Sequence, residues 1–374
     1  MDIKEYIENK KEILNNLINY IDQEDNTEEE HQIFFSHLND NKISKQKDEL
    51  RALFHLLIII SNNHNRHHNF FSKIEQILLH FENEMKNEFS NEELFNIFKS
   101  NKRVLLFLIE RKIINIDQSV TNVFTKKEYM PYFFNDVKDS SDLEQKKETE
   151  EFNEKRKLGE NDNYICQLIR NDSIDEFISY FNQKNMSFSS QIQPSIFETN
   201  SLLNKNKSSL IEYAAFFGSI QIFKFLFFNK AELSGSLWIH AVHGRNPEMI
   251  HFFEENKIVP PDHNYVDSFN EAVKSHHNEI ANYILNNYLK NYQENIEEDP
   301  DFLTSIIKAF NYAFFPKDLN NALIFYDLCH YDHVSLVKML YKSKKLNFKN
   351  SKIIHQNNYF LNGVFIKIEF NFFN

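Results

Sequence analysis

Internal repetition is the feature that most constrains how this chain can fold. Each copy consists of an apolar helix ending in two small or apolar residues, a turn, and a second helix ending in another apolar pair. A helix pair of this size cannot bury its apolar face alone, so successive pairs must stack to share one core. The sequence therefore predicts an all-α protein. The copies that align are residues 209–226, 236–253, 267–284 and 323–340, with a weaker copy at 166–181 and a degenerate one at 302–315.

The scarcity of turn residues supports the same fold class. Only 5 glycines and 7 prolines occur in 374 residues, whereas many-stranded folds need these residues in their tight turns. Apolar residues also recur at helical spacing in the first third of the chain, which predicts a series of short helices there.

Changes in composition predict four regions. Residues 1–135 are expected to form an irregular helical N-terminal domain, and the highly charged residues 136–160 a charged linker or exposed helix. Residues 161–352 are expected to form the repeat domain. Residues 353–374 form an atypical tail, in which apolar and polar residues alternate as in a strand. Because a repeat array usually ends in a repeat with a polar outer face, this tail is interpreted as the truncated or misread end of a longer array.

Charge and hydropathy argue against nucleic acids and membranes as partners. The formal net charge is −12 and no strong basic cluster is present, so a phosphate backbone would be repelled. The most apolar run, residues 53–60, is much shorter than the roughly 20 residues that span a bilayer, and the first residues lack the apolar core of a signal peptide. Two cysteines imply no disulfide framework. An intracellular protein is predicted, in the cytoplasm or alternatively the nucleus.

No motif of a catalytic or cofactor site is found in the sequence. The glycine-rich phosphate loop, the Walker lysine and the GxSxG motif are all missing. Cys329 occupies the small-residue position of its repeat, which predicts core packing, and no Cys–His–Asp arrangement can be assigned. The chain is therefore predicted to be non-catalytic and to bind no cofactor and no metal.

Two groups of histidines invite a metal interpretation, but a structural one is preferred for both. His64, His67 and His68 lie in a polar segment with no partner segment to complete a zinc site, so a solvated loop is predicted. His240 and His243 are three residues apart on one helix but lack the glutamate of an HExxH motif, so a surface or interface role is predicted.

Residues 209–226, SLIEYAAFFGSIQIFKFL, resemble the ankyrin-repeat pattern TPLHLAA-xx-GH-LEIVKLL. Ser209 stands at the opening threonine, residues 214–215 at the alanine pair, and Gly218 at the turn glycine, which needs a positive φ. Residues 334–340, VSLVKML, resemble the second helix. The chain as a whole is similar to an expanded family of ankyrin-type proteins of unicellular parasitic protists, whose domain has no established biochemical activity. The resemblance implies an ankyrin-like α-solenoid that acts as a protein–protein interaction scaffold or adaptor through its concave surface.

The repeats also depart from the family pattern. Glu212 and Ile239 stand where the family has the histidine of TPLH, which ties neighbouring repeats through hydrogen bonds, whereas His277 matches the structural turn histidine. Repeats that lack the turn glycine must accept a steric cost or use another turn. The positions equivalent to Gly218 are Arg245, His276 and Asp332.

One column of the aligned repeats is predicted to carry the binding surface, because ankyrin-like stacks present side chains to partner proteins there. Phe216 and Phe217 are expected to be exposed, since the matching positions in the other repeats are polar or mixed. The predicted interaction residues are Phe216, Phe217, His243, Lys274, Ser275, His330 and Tyr331.

Two other functions remain open at the level of sequence. An enzyme or effector with its site in residues 1–135 would gather several titratable side chains in one deep pocket. A nucleic-acid-associated repeat protein would need a basic stripe, which the net charge of −12 argues against.

Overall fold

The computed structural model describes residues 2–64, 66–137, 150–205, 207–290 and 299–343, and these residues form helices, short 3₁₀ turns and one isolated β-bridge but no strand. The predicted all-α class is confirmed for them. None of their helices is long and apolar enough to cross a membrane. The helices are α1 (Ile3–Asp22), α2 (Glu28–Asp40), α3 (Lys47–Asn63), α4 (Phe70–His80), α5 (Glu82–Glu88), α6 (Asn91–Phe98), α7 (Lys102–Glu110), α8 (Gln118–Phe124), α9 (Met130–Val137), α10 (Glu150–Leu158), α11 (Tyr164–Arg170), α12 (Ile174–Gln183), α13 (Ser201–Lys205), α14 (Leu210–Phe217), α15 (Ile220–Phe228), α16 (Leu237–His243), α17 (Pro247–Glu255), α18 (Val266–Lys274), α19 (Asn278–Asn287), α20 (Pro300–Lys308), α21 (Ala322–His330) and α22 (Val334–Lys342).

Two compact units are distinguished by their internal contacts. The central unit is Leu57–Ile280, and the discontinuous unit combines the described parts of Met1–Leu56 and Ala281–Asn374. The boundaries fall within α3 and α19. The predicted tail, residues 353–374, lies outside the described residues.

The charged segment at 136–160 is described only at its two ends. Its second end contains α10, which buries Arg156. The Arg156 guanidinium donates to the Tyr132 carbonyl at 3.0 Å and to the Asp136 carboxylate at 2.6 Å. These bonds compensate for the burial of a charge, so α10 is anchored to α9 through its one buried side chain.

The central unit contains the predicted helix pairs α11–α12, α14–α15 and α16–α17. Their first helices, followed by α18, make a first-helix row in which α11 contacts α14, α14 contacts α16, and α16 contacts α18. Their second helices make a second-helix row of α12, α15 and α17. This row packs through phenylalanine rings, with Phe177 and Phe181 against Phe225, and Phe223 against Phe252 and Phe253.

The discontinuous unit contains the last predicted pair, α21–α22, and α20 contacts α21. After α20 the chain forms a 3₁₀ turn at Tyr312–Phe314 instead of a second helix. The degenerate copy predicted at 302–315 therefore keeps only its first helix. A buried ion pair between Lys10 and Glu49 joins α1 to α3, and Ser335 of α22 donates to the same carboxylate at 2.6 Å.

The turn between the two helices of a pair has one recurring geometry. Gly218 has a φ of 67°, as the sequence predicts, and the amide of Ser219 donates to the Ala214 carbonyl at 2.9 Å. The other repeats have a non-glycine residue with a positive φ at this position and accept its steric cost. The non-glycine residues at this position, with their φ values, are Asp172 (48°), Arg245 (44°), His276 (56°) and Asp332 (61°).

Glu212, which stands at the position of the TPLH histidine, has a local role at the start of α14. Its carboxylate accepts a hydrogen bond from the Ser209 amide at 2.7 Å, while the Ser209 hydroxyl accepts one from the Glu212 amide at 3.3 Å. This reciprocal pair is a capping box, which stabilises a helix start by about 1 kcal/mol. The other oxygen of the Glu212 carboxylate accepts a hydrogen bond from the hydroxyl of Ser236, the residue before α16, at 2.5 Å.

Candidate functional site

Side chains just after the left-handed turn tie each helix pair to the preceding one. The Ser219 hydroxyl donates to the Ile169 carbonyl at 2.5 Å, and the Asn246 amide donates to the Gly218 carbonyl at 2.9 Å. His277 Nδ1 lies 2.8 Å from the Val242 carbonyl, so it carries the proton of that bond. In the discontinuous unit, His333 Nε2 contacts the Ile307 carbonyl at 2.8 Å in the same way.

Of these hydrogen bonds between neighbouring repeats, the sequence analysis predicted only a structural role for His277. The internal repeats do indicate the others, because each aligned repeat has a side chain capable of hydrogen bonding directly after the left-handed residue. The residues in this column are Ser173, Ser219, Asn246, His277 and His333.

A buried polar group lies between α16 and α18. The carboxylate of Glu271 accepts hydrogen bonds from His243 Nε2 and Lys274 Nζ, both at 2.8 Å. Burial raises the pKa of Glu271, but the hydrogen bonds from His243 and Lys274 and the charge of Lys274 outweigh it and lower the pKa to about 2. Burial lowers the pKa of His243, which keeps its imidazole neutral at neutral pH.

Four imidazoles come together beside this group, from the end of α3, from α16 and from the turn before α19. His64 Nε2 lies 3.1 Å from His276 Nδ1, and the His64 and His277 ring centroids are 5.9 Å apart. The ring of His243 lies 6.2 Å from that of His277. Burial lowers the pKa of His277 well below its usual value, and the charge of Arg245 lowers it further. All four imidazoles are buried, so the cluster is internal.

The solvated loop predicted around His64 is wrong for the first part of that segment. Helix α3 continues to Asn63, and His64 is only 1% exposed. Two residues later, the Arg66 guanidinium donates to the Gly159 carbonyl at 2.6 Å and to the Glu198 carboxylate at 3.3 Å, and these bonds compensate for the partial burial of its charge. His68 is exposed, as predicted.

The surface role predicted for His240 and His243 is also wrong. Both imidazoles are buried. His240 Nε2 contacts the Ser208 hydroxyl at 3.1 Å and His240 Nδ1 contacts the Ser236 carbonyl at 2.9 Å, so its polar atoms are satisfied inside the fold. Its role is structural, in the packing of α16.

Part of the predicted binding column is interior. Phe216 is 1% exposed and His243 and Ser275 are 0% exposed, so the expected exposure of Phe216 is wrong. The rings of Phe216 and His243 stack with centroids 4.7 Å apart. The physical reason is the close approach of α14 to the end of α16, where a Cβ on Gly244 would lie 2.7 Å from the Ala215 carbonyl oxygen.

The other members of the column remain accessible to different degrees. Phe217, Lys274 and Tyr331 are half-buried, and His330 is exposed. Phe217 packs on Tyr213 with ring centroids 4.8 Å apart. His330 and Tyr331 belong to the discontinuous unit, where His330 stacks on Tyr326 with centroids 5.8 Å apart. The central unit thus brings together Phe216, Phe217, His243, Lys274 and Ser275.

The chemistry available to these groups is limited. Among the described residues, no group of three or more His, Cys, Asp or Glu side chains has an arrangement that could hold a metal ion. This result covers the four-histidine cluster as well. Burial raises the pKa of Cys166 and of Cys329 to about 12, so neither thiol is an activated nucleophile at neutral pH.

A cleft of about 780 Å³ in the discontinuous unit is lined without histidine or cysteine. It lies beside the start of α1, the segment after the 3₁₀ turn, and the end of α22. Its apolar lining residues are Ile3, Ile7, Phe315, Leu319, Met339 and Leu340. The rest of its lining consists of Pro316 and of polar or charged side chains, among them Asp2, Glu8 and Asp318.

Comparison with known proteins adds no assignment. No protein-family model matches the chain, no curated protein matches it, and no solved structure matches it.

Proposed function

We propose that the chain is a non-catalytic protein-interaction scaffold, in which the helix pairs stack as an ankyrin-like α-solenoid. The observation that carries this proposal is the recurrence of one turn and one tie. Asp172, Gly218, Arg245 and His276 share the left-handed turn, and the residue after three of these turns bonds to the preceding pair.

Such ties fix the register of each pair on the one before it. Exposed side chains at equivalent positions are then held at a regular spacing, which is the property that repeat proteins use to present an extended binding surface. The helix order of the first-helix row supports the same arrangement, because each first helix contacts the next one in the chain.

The burial of Phe216, His243 and Ser275 narrows the proposed surface. The side chains of the central unit that remain available in this column are Phe217 and Lys274, and those of the discontinuous unit are His330 and Tyr331. Other proteins are the proposed partners, since the net charge of −12 disfavours phosphate backbones.

Affinity capture followed by mass spectrometry tests this proposal. The wild-type chain is compared with Phe217→Ala/Lys274→Ala and with Ile33→Ala, a control at an exposed residue of α2. We expect the double variant to lose at least one partner that the control retains, with circular dichroism showing that both variants fold. Retention of every partner by the double variant would rule out this column as the surface. Failure of the wild-type chain to capture any protein would argue against a scaffold altogether.

A further inference from the structure

The second-helix row has one phenylalanine that internal packing does not explain. Phe228 is 68% exposed, although it lies at the edge of an aromatic cluster. Its ring centroid is 5.5 Å from that of Phe227 and 6.2 Å from that of Phe252. Phe227 and the nearby Phe225 are themselves only half-buried. Exposed apolar groups that adjoin one another mark interaction sites more often than isolated ones do.

The two helices that neighbour α15 in this row carry exposed acidic side chains. Helix α12 has Asp175 and Glu176 in its first turn, and both are exposed. Helix α17 carries three carboxylates, Glu248, Glu254 and Glu255. The helix between them, α15, has Lys224 as its one charged residue.

The single lysine of α15 is already paired. Lys224 Nζ lies 2.6 Å from the Glu248 carboxylate and 5.7 Å from the centre of the Phe252 ring. Glu248, Phe252 and Glu255 follow one another at spacings of four and three residues, so they lie on one stripe of α17. That stripe faces α15, because Glu248 contacts Lys224 and Phe252 contacts Phe228.

We propose that this outer aromatic face, consisting of Phe225, Phe227, Phe228 and the flanking carboxylates of α12 and α17, binds a cationic amphipathic helix of a partner protein. The inference rests on the proposed scaffold function and specifies the chemistry of one of its partners. An apolar stripe of such a helix covers Phe228, and its lysine or arginine side chains lie over Asp175, Glu176 and Glu255.

Charge decides between the possible occupants of this face. An acidic helix or a phosphate group would meet five carboxylates on two helices, α12 and α17, and one lysine of α15 that is already paired with Glu248. Three lysines, Lys184, Lys230 and Lys257, lie beyond the C-terminal ends of the same helices and are exposed. The cationic groups of the partner are expected over the carboxylates, in the first turn of α12 and along the α17 stripe.

The test uses a synthetic peptide of about 18 residues, or five helical turns, with leucine and lysine in an amphipathic pattern. A peptide of the same length with glutamate in place of lysine is the matched probe. Binding of each labelled peptide to the full chain is measured by fluorescence anisotropy at low and at physiological salt. We expect the lysine peptide to bind, more tightly at low salt, and the glutamate peptide not to bind.

Two pairs of variants locate the site. Phe228→Ser is expected to weaken binding of the lysine peptide about tenfold or more, whereas Ile33→Ser, which changes an equally exposed apolar residue of α2, leaves it unchanged. Asp175→Asn/Glu255→Gln is expected to weaken binding and reduce its salt dependence. Lys230→Gln/Lys257→Gln, the control at the basic end, is expected to leave binding unchanged or strengthen it.

The proposal is overturned if the lysine peptide does not bind, if the glutamate peptide binds equally well, or if Phe228→Ser and Ile33→Ser bind alike. Self-association of the wild-type chain that Phe228→Ser abolishes would assign the face to a second copy instead, which also overturns it. If the chain still captures partners through Phe217 and Lys274 in that case, the proposed scaffold function is retained. Failure of the Phe228 face and failure of the scaffold function are therefore distinguishable.

Discussion

The two helix rows of the central unit come from the same repeat, yet different chemistry packs them. The first-helix row buries hydrogen-bonded polar groups, among them His240 and His243, the latter bonded to Glu271. The second-helix row is packed by phenylalanine rings, such as Phe223 against Phe253 at 5.3 Å between centroids. Both rows are built from helices of seven to ten residues.

The difference indicates a division of roles between the rows. Buried hydrogen bonds have strict geometry, and a misplaced helix would leave polar groups unsatisfied, so the first-helix row specifies register. Apolar contacts scale with buried area and are less directional, so the phenylalanine packing of the second-helix row stabilises the fold with weaker demands on geometry. Because these apolar contacts do not require strict geometry, a ring at the edge of the row, such as that of Phe228, can stay exposed while the fold is retained.

The largest expected effect separates the two kinds of packing. Phe223→Ala removes a fully buried ring of the second-helix row and is expected to lower the free energy of unfolding by about 3–5 kcal/mol. Ser219→Ala removes one tie of the first-helix row and is expected to cost about 1 kcal/mol. Urea titration followed by circular dichroism measures both. Phe228→Ala, at the exposed position of the same helix as Phe223, is the control and should change stability by less than about 0.5 kcal/mol.

An equal cost for Phe223→Ala and Ser219→Ala would contradict this division of roles. It would mean that the ties contribute as much to stability as the aromatic packing does. The comparison is informative only if both variants unfold in one cooperative transition, so coincident circular dichroism and fluorescence transitions are required.

As pH falls, the first-helix row is expected to lose its contribution to the free energy of unfolding before the second-helix row does. Burial lowers the pKa values of His240, His243 and His277 in the folded chain, while in the unfolded chain each is near the ordinary value of about 6.5. Their contribution to stability is therefore complete above about pH 6.5 and is lost as pH falls below it, because the unfolded chain then binds protons that the folded chain does not. Each histidine contributes a slope of at most about 1.4 kcal/mol per pH unit.

The measurement is the urea midpoint between pH 7.5 and pH 5 for wild type and His240→Gln. His333 of the discontinuous unit, whose pKa burial lowers to about 3, contributes to the wild-type slope as well, so the difference between the two proteins isolates one histidine. We expect a shallower slope for the variant over this range. Glu271 acts later, since its pKa of about 2 makes its contribution fall only as pH drops below the ordinary glutamate value of about 4.3. Parallel slopes for the two proteins would show that His240 does not titrate on unfolding.

The sequence anticipates the second-helix row better than the first. Helix pairs and the left-handed turn at Gly218 follow from apolar spacing and local backbone chemistry, which are properties of neighbouring residues. His64 shows where such reasoning fails, because its partner His276 is 212 residues away and no local pattern reports that contact. Phe216 fails for a related reason, since the close approach of two helices at Gly244 buries a residue whose aligned neighbours are polar.

The same limit applies to the boundaries of the units. Composition marks 136–160 as a break, yet Arg156 within it is buried against Tyr132 and Asp136. A charged residue with suitable acceptors is satisfied inside a fold, and composition cannot show whether those acceptors are present. Glu212 illustrates the converse case, because a glutamate three residues after a serine is the local pattern of the capping box that it forms with Ser209.

The smallest expected effect concerns the turns that bound the two rows. Gly218 ends a first helix with a φ of 67°, and Lys230 follows the end of the paired second helix with a φ of 61°. Lys230→Gly removes the steric cost of a side chain in the left-handed region and is expected to stabilise the chain by about 0.5–1 kcal/mol, because Lys230 is exposed and its side chain is not needed for packing. Gly218→Ala is expected to destabilise by about 1 kcal/mol or more, since its Cβ would lie 3.1 Å from Asn246 Cβ in addition to the backbone cost. Thermal and urea unfolding of the two variants measure both signs. A loss of stability in Lys230→Gly would show that the turn after the second helix depends on the lysine side chain. The turns at Gly218 and Lys230 would then differ in more than the closeness of the atoms around them.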